Sequence, residues 1–172
     1  FNARFGQTFV VPEAYIPKVG GRVMDLQVPT AKMSKSGASP AGRIQVLDPP
    51  EVIRKKIRSA VTDSGREIVA RPDKPAIANL LELFSVTSGR SVGELEQAYA
   101  GRGYGDFKAD LADAVVGCLA PLQARYHALR DDPAHLAGIL EAGAAKAQAI
   151  ARANLALAKE RMGFLARAAS QG

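Results

Sequence analysis

The sequence predicts a mostly α-helical protein, and three observations carry that prediction. Apolar residues recur at three- and four-residue spacing from position 49 onward, helix-start signals precede those stretches, and alanine-rich runs such as 142–151 favour helix by propensity. The first 48 residues read differently, as loops and short strands. Gln7–Val11 is short, β-branched and aromatic, and it ends at Pro12; Arg43–Leu47 alternates in the manner of a second strand. Between them lie Gly20-Gly21, Pro29 and a Ser/Gly/Lys-rich segment from Lys32 to Pro40. A stretch with so little apolar surface of its own is expected to pack on structure outside these residues. The chain therefore divides into residues 1–48 and residues 49–172.

The helical elements follow in order. Asp48-Pro49-Pro50-Glu51 supplies an oxygen acceptor for an N-cap, a proline for the first position and a glutamate three residues after the cap. Val52, Ile53, Ile57, Ala60 and Val61 then share a face, and Asp63-Ser64-Gly65 ends the helix. Pro75 opens the next one, striped by Ile77, Leu80, Leu81 and Phe84. Ser91-Val92-Gly93-Glu94 is a capping box that starts a short helix closing near Gly101. Leu111, Val115, Cys118 and Leu122 form one stripe of a long helix, which places Cys118 in the core. Asp132-Pro133 restarts the chain as N-cap and first turn, and Leu136, Ile139, Leu140, Ala147, Ile150, Leu157 and Met162 continue the pattern. Short connections between such helices predict an antiparallel bundle.

Composition narrows the class. The 172 residues are 47% apolar, enough for a packed core, and 23% charged. Lys and Arg number 23 against 17 Asp and Glu, a net charge of +6 that suits a polyanionic partner without requiring one. A single cysteine excludes an intrachain disulfide and a cysteine-built zinc site. No apolar run approaches bilayer length, so no membrane partner is expected, and a cytoplasmic location fits. The first residue, Phe1, is not a methionine, which suggests a start inside a longer protein.

The chemistry-bearing segment is Thr30-Ala31-Lys32-Met33-Ser34-Lys35-Ser36-Gly37. Two lysines three apart, with hydroxyls between and after them and glycine and proline downstream, make a mobile cationic loop. Lysine is a point charge on a long stem, suited to following phosphate oxygens, and serine hydroxyls and loop amides add hydrogen bonds to the same oxygens. Such a loop stabilises charge developing on a leaving phosphate. The string Lys32-Met33-Ser34-Lys35-Ser36 matches the KMSKS signature of class I aminoacyl-tRNA synthetases.

The neighbours of that string resemble bacterial-type tryptophanyl-tRNA synthetases. The resembling segments are Phe1–Gly6, Pro12-Glu13-Ala14, Ile16-Pro17-Lys18-Val19-Gly20, Arg22–Leu26 with Pro29-Thr30, Lys55–Ser64 and Gly103–Ala112. The likeness covers nearly the whole chain and corresponds to the carboxy-terminal half of that family. It implies that residues 1–48 are the tail of a Rossmann-type catalytic nucleotide-binding domain with its KMSKS loop, followed over 49–172 by a helical tRNA anticodon-binding domain.

The resemblance also implies an activity. Tryptophan attacks the α-phosphate of ATP to give tryptophanyl-adenylate and pyrophosphate, and the amino acid passes to tRNA-Trp. Lys32 and Lys35 match the loop lysines that hold the β- and γ-phosphates. Ser34 and Ser36 match the phosphate-binding serines, and Val23 and Met33 match positions flanking the adenine. Mg²⁺ accompanies ATP, with no carboxylate cluster in this sequence to hold it. The family is usually homodimeric. The second signature of the class, HIGH, has no counterpart: His127 and His135 both lie in helical contexts. Much of the ATP and tryptophan site is thus expected outside these residues, which alone should be inactive in activation.

The tRNA face stays open between two readings. Arg54, Lys55, Lys56 and Arg58 cluster opposite Ile53 and Ile57, either as phosphate contacts or as a solvated helix face. Arg152, Lys159, Arg161 and Arg167 are further basic candidates, and Tyr104 and Tyr126 are either stacking or core aromatics. The alternative to an enzyme half is a free-standing helical tRNA-binding module, against which the loop string argues.

Overall fold

In the computed structural model the described residues are 1–17, 19–37 and 39–165. Lys18 and Ala38 lie outside them, as do residues 166–172 with the basic candidate Arg167. The expected mostly helical fold is found: six α-helices and no strand occur among the described residues. They are α1 (Asn2–Phe5), α2 (Pro50–Arg58), α3 (Pro75–Ser88), α4 (Val92–Ala98), α5 (Tyr104–Arg130) and α6 (Pro133–Arg161), with a 3₁₀ turn at Pro40–Gly42.

The chain separates into two compact units, residues 16–127 and residues 1–15 together with 128–172. The larger unit holds the core. Ile53 and Ile57 of α2, Ile77, Leu80, Leu81 and Phe84 of α3, Leu95 of α4, and Phe107, Leu111 and Val115 of α5 are all buried in one cluster, joined by Leu26 from the non-helical segment. Phe84, Tyr99 and Phe107 meet with ring centroids 5.3–5.9 Å apart, Tyr99 on Phe107 edge to face. The helix ends follow the sequence signals at α4, where Ser91 and Glu94 form the full capping box, and at Gly89, whose φ of 74° closes α3 in the left-handed region.

Several local expectations change, each for a hydrogen-bonding or packing reason. Gln7–Val11 is not a strand: the Thr8 and Phe9 amides donate to the Asn2 side chain, which in turn donates to the Phe9 carbonyl. Phe1 thereby sits 4.9 Å, centroid to centroid, from both Phe5 and Phe9. Arg43–Leu47 is not a strand either, because the Gln45 amide donates to the Asp48 carboxylate and the Val46 carbonyl accepts from Gln123. With Asp48 so committed, α2 starts one residue later, with Pro49 as N-cap and no side-chain cap bond. The helix also ends at Arg58 and not at Asp63. Lys108 of α5 donates to the Ala60 carbonyl at 2.7 Å and the Val61 amide donates to Leu26, so those residues pair across the core and not along a helix.

The stripe of α5 is buried only through Val115. Cys118 is exposed and Leu122 is 51% exposed, so Cys118 is not a core residue. In the smaller unit α6 is capped at Asp132 as expected, the carboxylate accepting from the His135 amide. Ile139, Leu140, Ile150 and Met162 nevertheless remain exposed, and Ala158 is the buried residue of the helix. Alanine-rich propensity supports this helix. No helix among the described residues is long and apolar enough to cross a membrane.

Candidate functional site

The site lies in the larger unit and is built on a hairpin-like turn. The Asp25 amide donates to the Ala31 carbonyl (2.8 Å) and the Met33 amide to the Val23 carbonyl (3.0 Å), bracketing an antiparallel bridge between Met24 and Lys32. Asp25 shapes the turn, its Oδ1 accepting from the Gln27 and Val28 amides at 2.8 and 3.0 Å. The lysine–serine loop therefore emerges from a braced stem.

Beyond the stem the loop folds on itself. Ser34 and Ser36 hydroxyls are 3.1 Å apart, and the Gly37 amide donates to the Ser34 carbonyl at 3.2 Å. Lys32, Ser34, Lys35 and Ser36 are exposed, whereas Met33 is half-buried and packs on the hydrophobic core. Met33 thus anchors the middle of the string while the lysines on either side face solvent.

Val23, Lys32, Met33, Ser34 and Lys35 line one open cavity of about 770 Å³, together with Arg43. Five of the six nucleotide-facing residues expected from the sequence are brought together there; Ser36 is tied to it through Ser34. Four cationic residues, Arg22, Lys32, Lys35 and Arg43, line the cavity, and an anion with several oxygens is the ligand chemistry they favour. Half-buried Arg43 also donates to the Gly37 carbonyl at 3.0 Å, while its Nε is buried with no partner among the described residues. No group of three or more His, Cys, Asp or Glu able to hold a metal occurs among the described residues.

Three supporting residues escaped the sequence reading. Arg43 stood in what read as an alternating strand. Gly42 is buried beside Asp25, and a Cβ on it would come within 2.2 Å of both carboxylate oxygens. Asn79 of α3, only 6% exposed, accepts from the Met24 amide and donates to the Met24 carbonyl. The legible signal for Asn79 was a lone amide within the apolar run Ile77–Leu81, since a buried polar group implies a hydrogen-bonded partner.

The basic cluster on α2 is mixed. Lys55 and Arg58 are exposed, and Arg54 pairs with Asp113 at 2.9 Å with both side chains more than half exposed. Lys56 is instead drawn inward, its ammonium on Asp48 and both side chains under 15% exposed. Tyr104 is committed to a polar network: its hydroxyl donates to Asp63 (2.7 Å) and accepts from Lys74 (3.1 Å), which also binds Asp63 at 3.1 Å. Tyr126 is 38% exposed. Arg161 donates to the Gln7 carbonyl and Arg152 to Gln148. His127 and His135 are both exposed on helices.

Comparison with known proteins agrees with this architecture. Residues 1–120 match the family described as tRNA synthetases class I (W and Y). A tryptophan–tRNA ligase of Leifsonia xyli is 49% identical over 166 residues, covering 96% of this chain and 49% of the relative. One from Bacillus anthracis is also 49% identical, over 165 residues, covering 95% and 50%. The crystal structure of tryptophanyl-tRNA synthetase from Mycoplasma pneumoniae superposes with a TM-score of 0.86 at 32% identity, covering 95% of this chain and 50% of that one. The chain spans about half the length of the curated relatives it matches.

Proposed function

Because the chain belongs to the class I tRNA synthetase family of the W and Y enzymes, we propose that it serves as the carboxy-terminal half of an ATP-dependent tryptophan–tRNA ligase. The observation that carries this reading is the loop 32–36, whose two lysines border the same cavity as Val23 and Met33. In the proposed reaction tryptophan attacks the α-phosphorus of ATP, the bond to the bridging oxygen breaks, and pyrophosphate leaves. Lys32 and Lys35 stabilise the negative charge growing on that leaving group, which is where preorganised cations lower a barrier most. Ser34 and Ser36 offer hydroxyls to the same oxygens. Val23 and Met33 are the apolar walls for the adenine.

The tryptophan pocket and the partners of the α-phosphate belong, in this reading, to the other half of the protein. Mg²⁺ enters as part of the ATP substrate. Residues 1–48 act as the tail of the nucleotide-binding domain, and 49–172 as the helical domain facing the anticodon of tRNA-Trp. Exposed Arg54, Lys55 and Arg58 are the phosphate contacts on α2, and Lys56 contributes by fixing that helix to Asp48. The longer protein acts as a cytoplasmic homodimer, and the 172 residues alone do not activate tryptophan.

The test is tryptophan-dependent ATP–pyrophosphate exchange by the full-length protein. Lys32→Ala and Lys35→Ala should each lower kcat about 10²- to 10³-fold, the range for removing a charge-stabilising donor. Undiminished exchange in both would refute the loop's role. Loss of tRNA binding with exchange intact would favour a binding module instead.

A further inference from the structure

The hairpin that presents Lys32 is two-stranded and isolated, and one of its edges is closed by a side chain. Bonds at Asp25–Ala31 and Met33–Val23 flank the Met24–Lys32 bridge, so Met24 and Lys32 form the non-hydrogen-bonded pair of the ladder. In such a pair the backbone N–H and C=O point away from the partner. Those of Met24 point to Asn79, whose Oδ1 accepts at 2.8 Å and whose Nδ2 donates at 3.0 Å. One carboxamide thus takes the place of a third strand. It sits on α3 between the buried residues Ile77 and Leu80, so its position is set by the core.

The hairpin also separates two cavities. Val23 borders the one that holds the loop lysines, whereas Met24 and Asn79 border another of about 620 Å³. Leu26 and Met33 anchor the hairpin on the core, whereas Met24 between them borders open space. The two amide bonds supply what packing does not.

We propose that Asn79 is a positioning residue for the proposed reaction, acting on the loop through Met24 and Lys32. This rests on the reading of the loop given above. An amide serves where neither carboxylate nor alkyl group would, since one partner is a donor and the other an acceptor. A slip of the Met24 backbone moves Lys32 directly, and small displacements of charge-stabilising groups cost rate steeply.

The experiment is a double-mutant cycle in the full-length protein, read by ATP–pyrophosphate exchange. Asn79→Ala lets water from the adjoining cavity satisfy Met24 without holding it, so folding should survive. It should lower kcat/KM for ATP about tenfold with the KM for tryptophan unchanged, and under about twofold in a Lys32→Ala background, because groups acting as one unit are non-additive. Asn79→Asp keeps the acceptor, sets a carboxylate against the Met24 carbonyl, and should lose at least as much. Hydrogen exchange gives an independent reading: the Asp25 and Met33 amides should exchange faster in Asn79→Ala while those of α5 do not. An equal loss in both Lys32 backgrounds, or no loss, overturns the positioning role. If Lys32→Ala alone costs nothing, the role given to Lys32 fails first and takes this inference with it.

Discussion

The loops at 32–40 and 63–74 are built from the same kinds of residue and treat their lysines in opposite ways. Both carry a Ser-Gly step, a proline and basic side chains. Lys74 is buried, 7% exposed, and shared among Asp63, the Tyr104 hydroxyl and the Glu67 carbonyl. Lys32 and Lys35 are exposed, and the lysines held in ion pairs among the described residues are Lys56 and Lys74. The contrast separates two uses of charge. A lysine whose hydrogen bonds are all met by the protein holds a fold together; one left facing a cavity is free to bind a ligand.

That contrast sets opposite outcomes for equivalent changes. The largest effect is expected from Lys32→Ala combined with Lys35→Ala: exchange activity falls by at least about 10³-fold, while urea unfolding moves little because neither side chain has an ion-pair partner among the described residues. Asp63→Ala should do the reverse within the larger unit. It leaves the Lys74 ammonium without its carboxylate and should lower stability measurably by chemical denaturation. A small loss there, with activity abolished, would invert the assignment of the two loops.

Smaller effects sharpen the comparison. Gly42→Ala forces a methyl against the Asp25 carboxylate and should cost about 2 kcal/mol and raise the KM for ATP. The loss should be largely restored by adding Asp25→Ser, as melting temperature and exchange kinetics would report. Cys118→Ser, at an exposed position, should stay within about 0.5 kcal/mol of the parent.

The pH limits follow from this network and from Tyr99, whose hydroxyl donates to Asp110. Hydrogen bonds, first from the Tyr104 hydroxyl and then from the Gly65 amide and Lys74, hold the Asp63 carboxyl below its ordinary range. Its contribution is therefore present above about pH 4 and lost as pH falls through the folded value. Lys74 is raised, chiefly by its bond with Tyr104, so its contribution is present below the ordinary lysine range and lost as pH rises through the raised value. Burial, helped by Asp110, pushes Tyr99 up to about 12. Unfolding returns it to an ordinary tyrosine, so stability should decline between the ordinary value of 10.0 and about 12. Asp63→Asn should flatten the acid limb and Tyr99→Phe the alkaline one in pH-dependent denaturation.

How much was legible in the sequence depended on whether a residue's partners were local. The capping box at Ser91 follows from spacing alone because its partners lie within four residues, and the stripe of α3 follows because its members recur every three or four. The loop was legible because its five residues form one contiguous string. The strands misread at 7–11 and 43–47 have the right composition, but a strand exists only where a second chain segment meets its amides. Here Asn2 and Asp48 accept from the amides instead, and Gln123 donates to the Val46 carbonyl. Cys118 and Leu122 kept the period of the core beyond the point where the core ends. Arg43 was missed, and the partner of Asn79 with it, for a related reason: their significance comes from Gly37 and Met24, and only folding brings these together.

The packing of Gly42 against Asp25 ties two positions seventeen residues apart in the chain into a single unit of inheritance. While an aspartate caps the turn at 25, no side chain fits at 42, and a lineage can admit alanine or anything larger at 42 only after shortening 25. Among relatives of this protein, then, the two sites should drift together. A glycine-to-alanine change that looks conservative by itself should appear only in company with a change at position 25 on the hairpin.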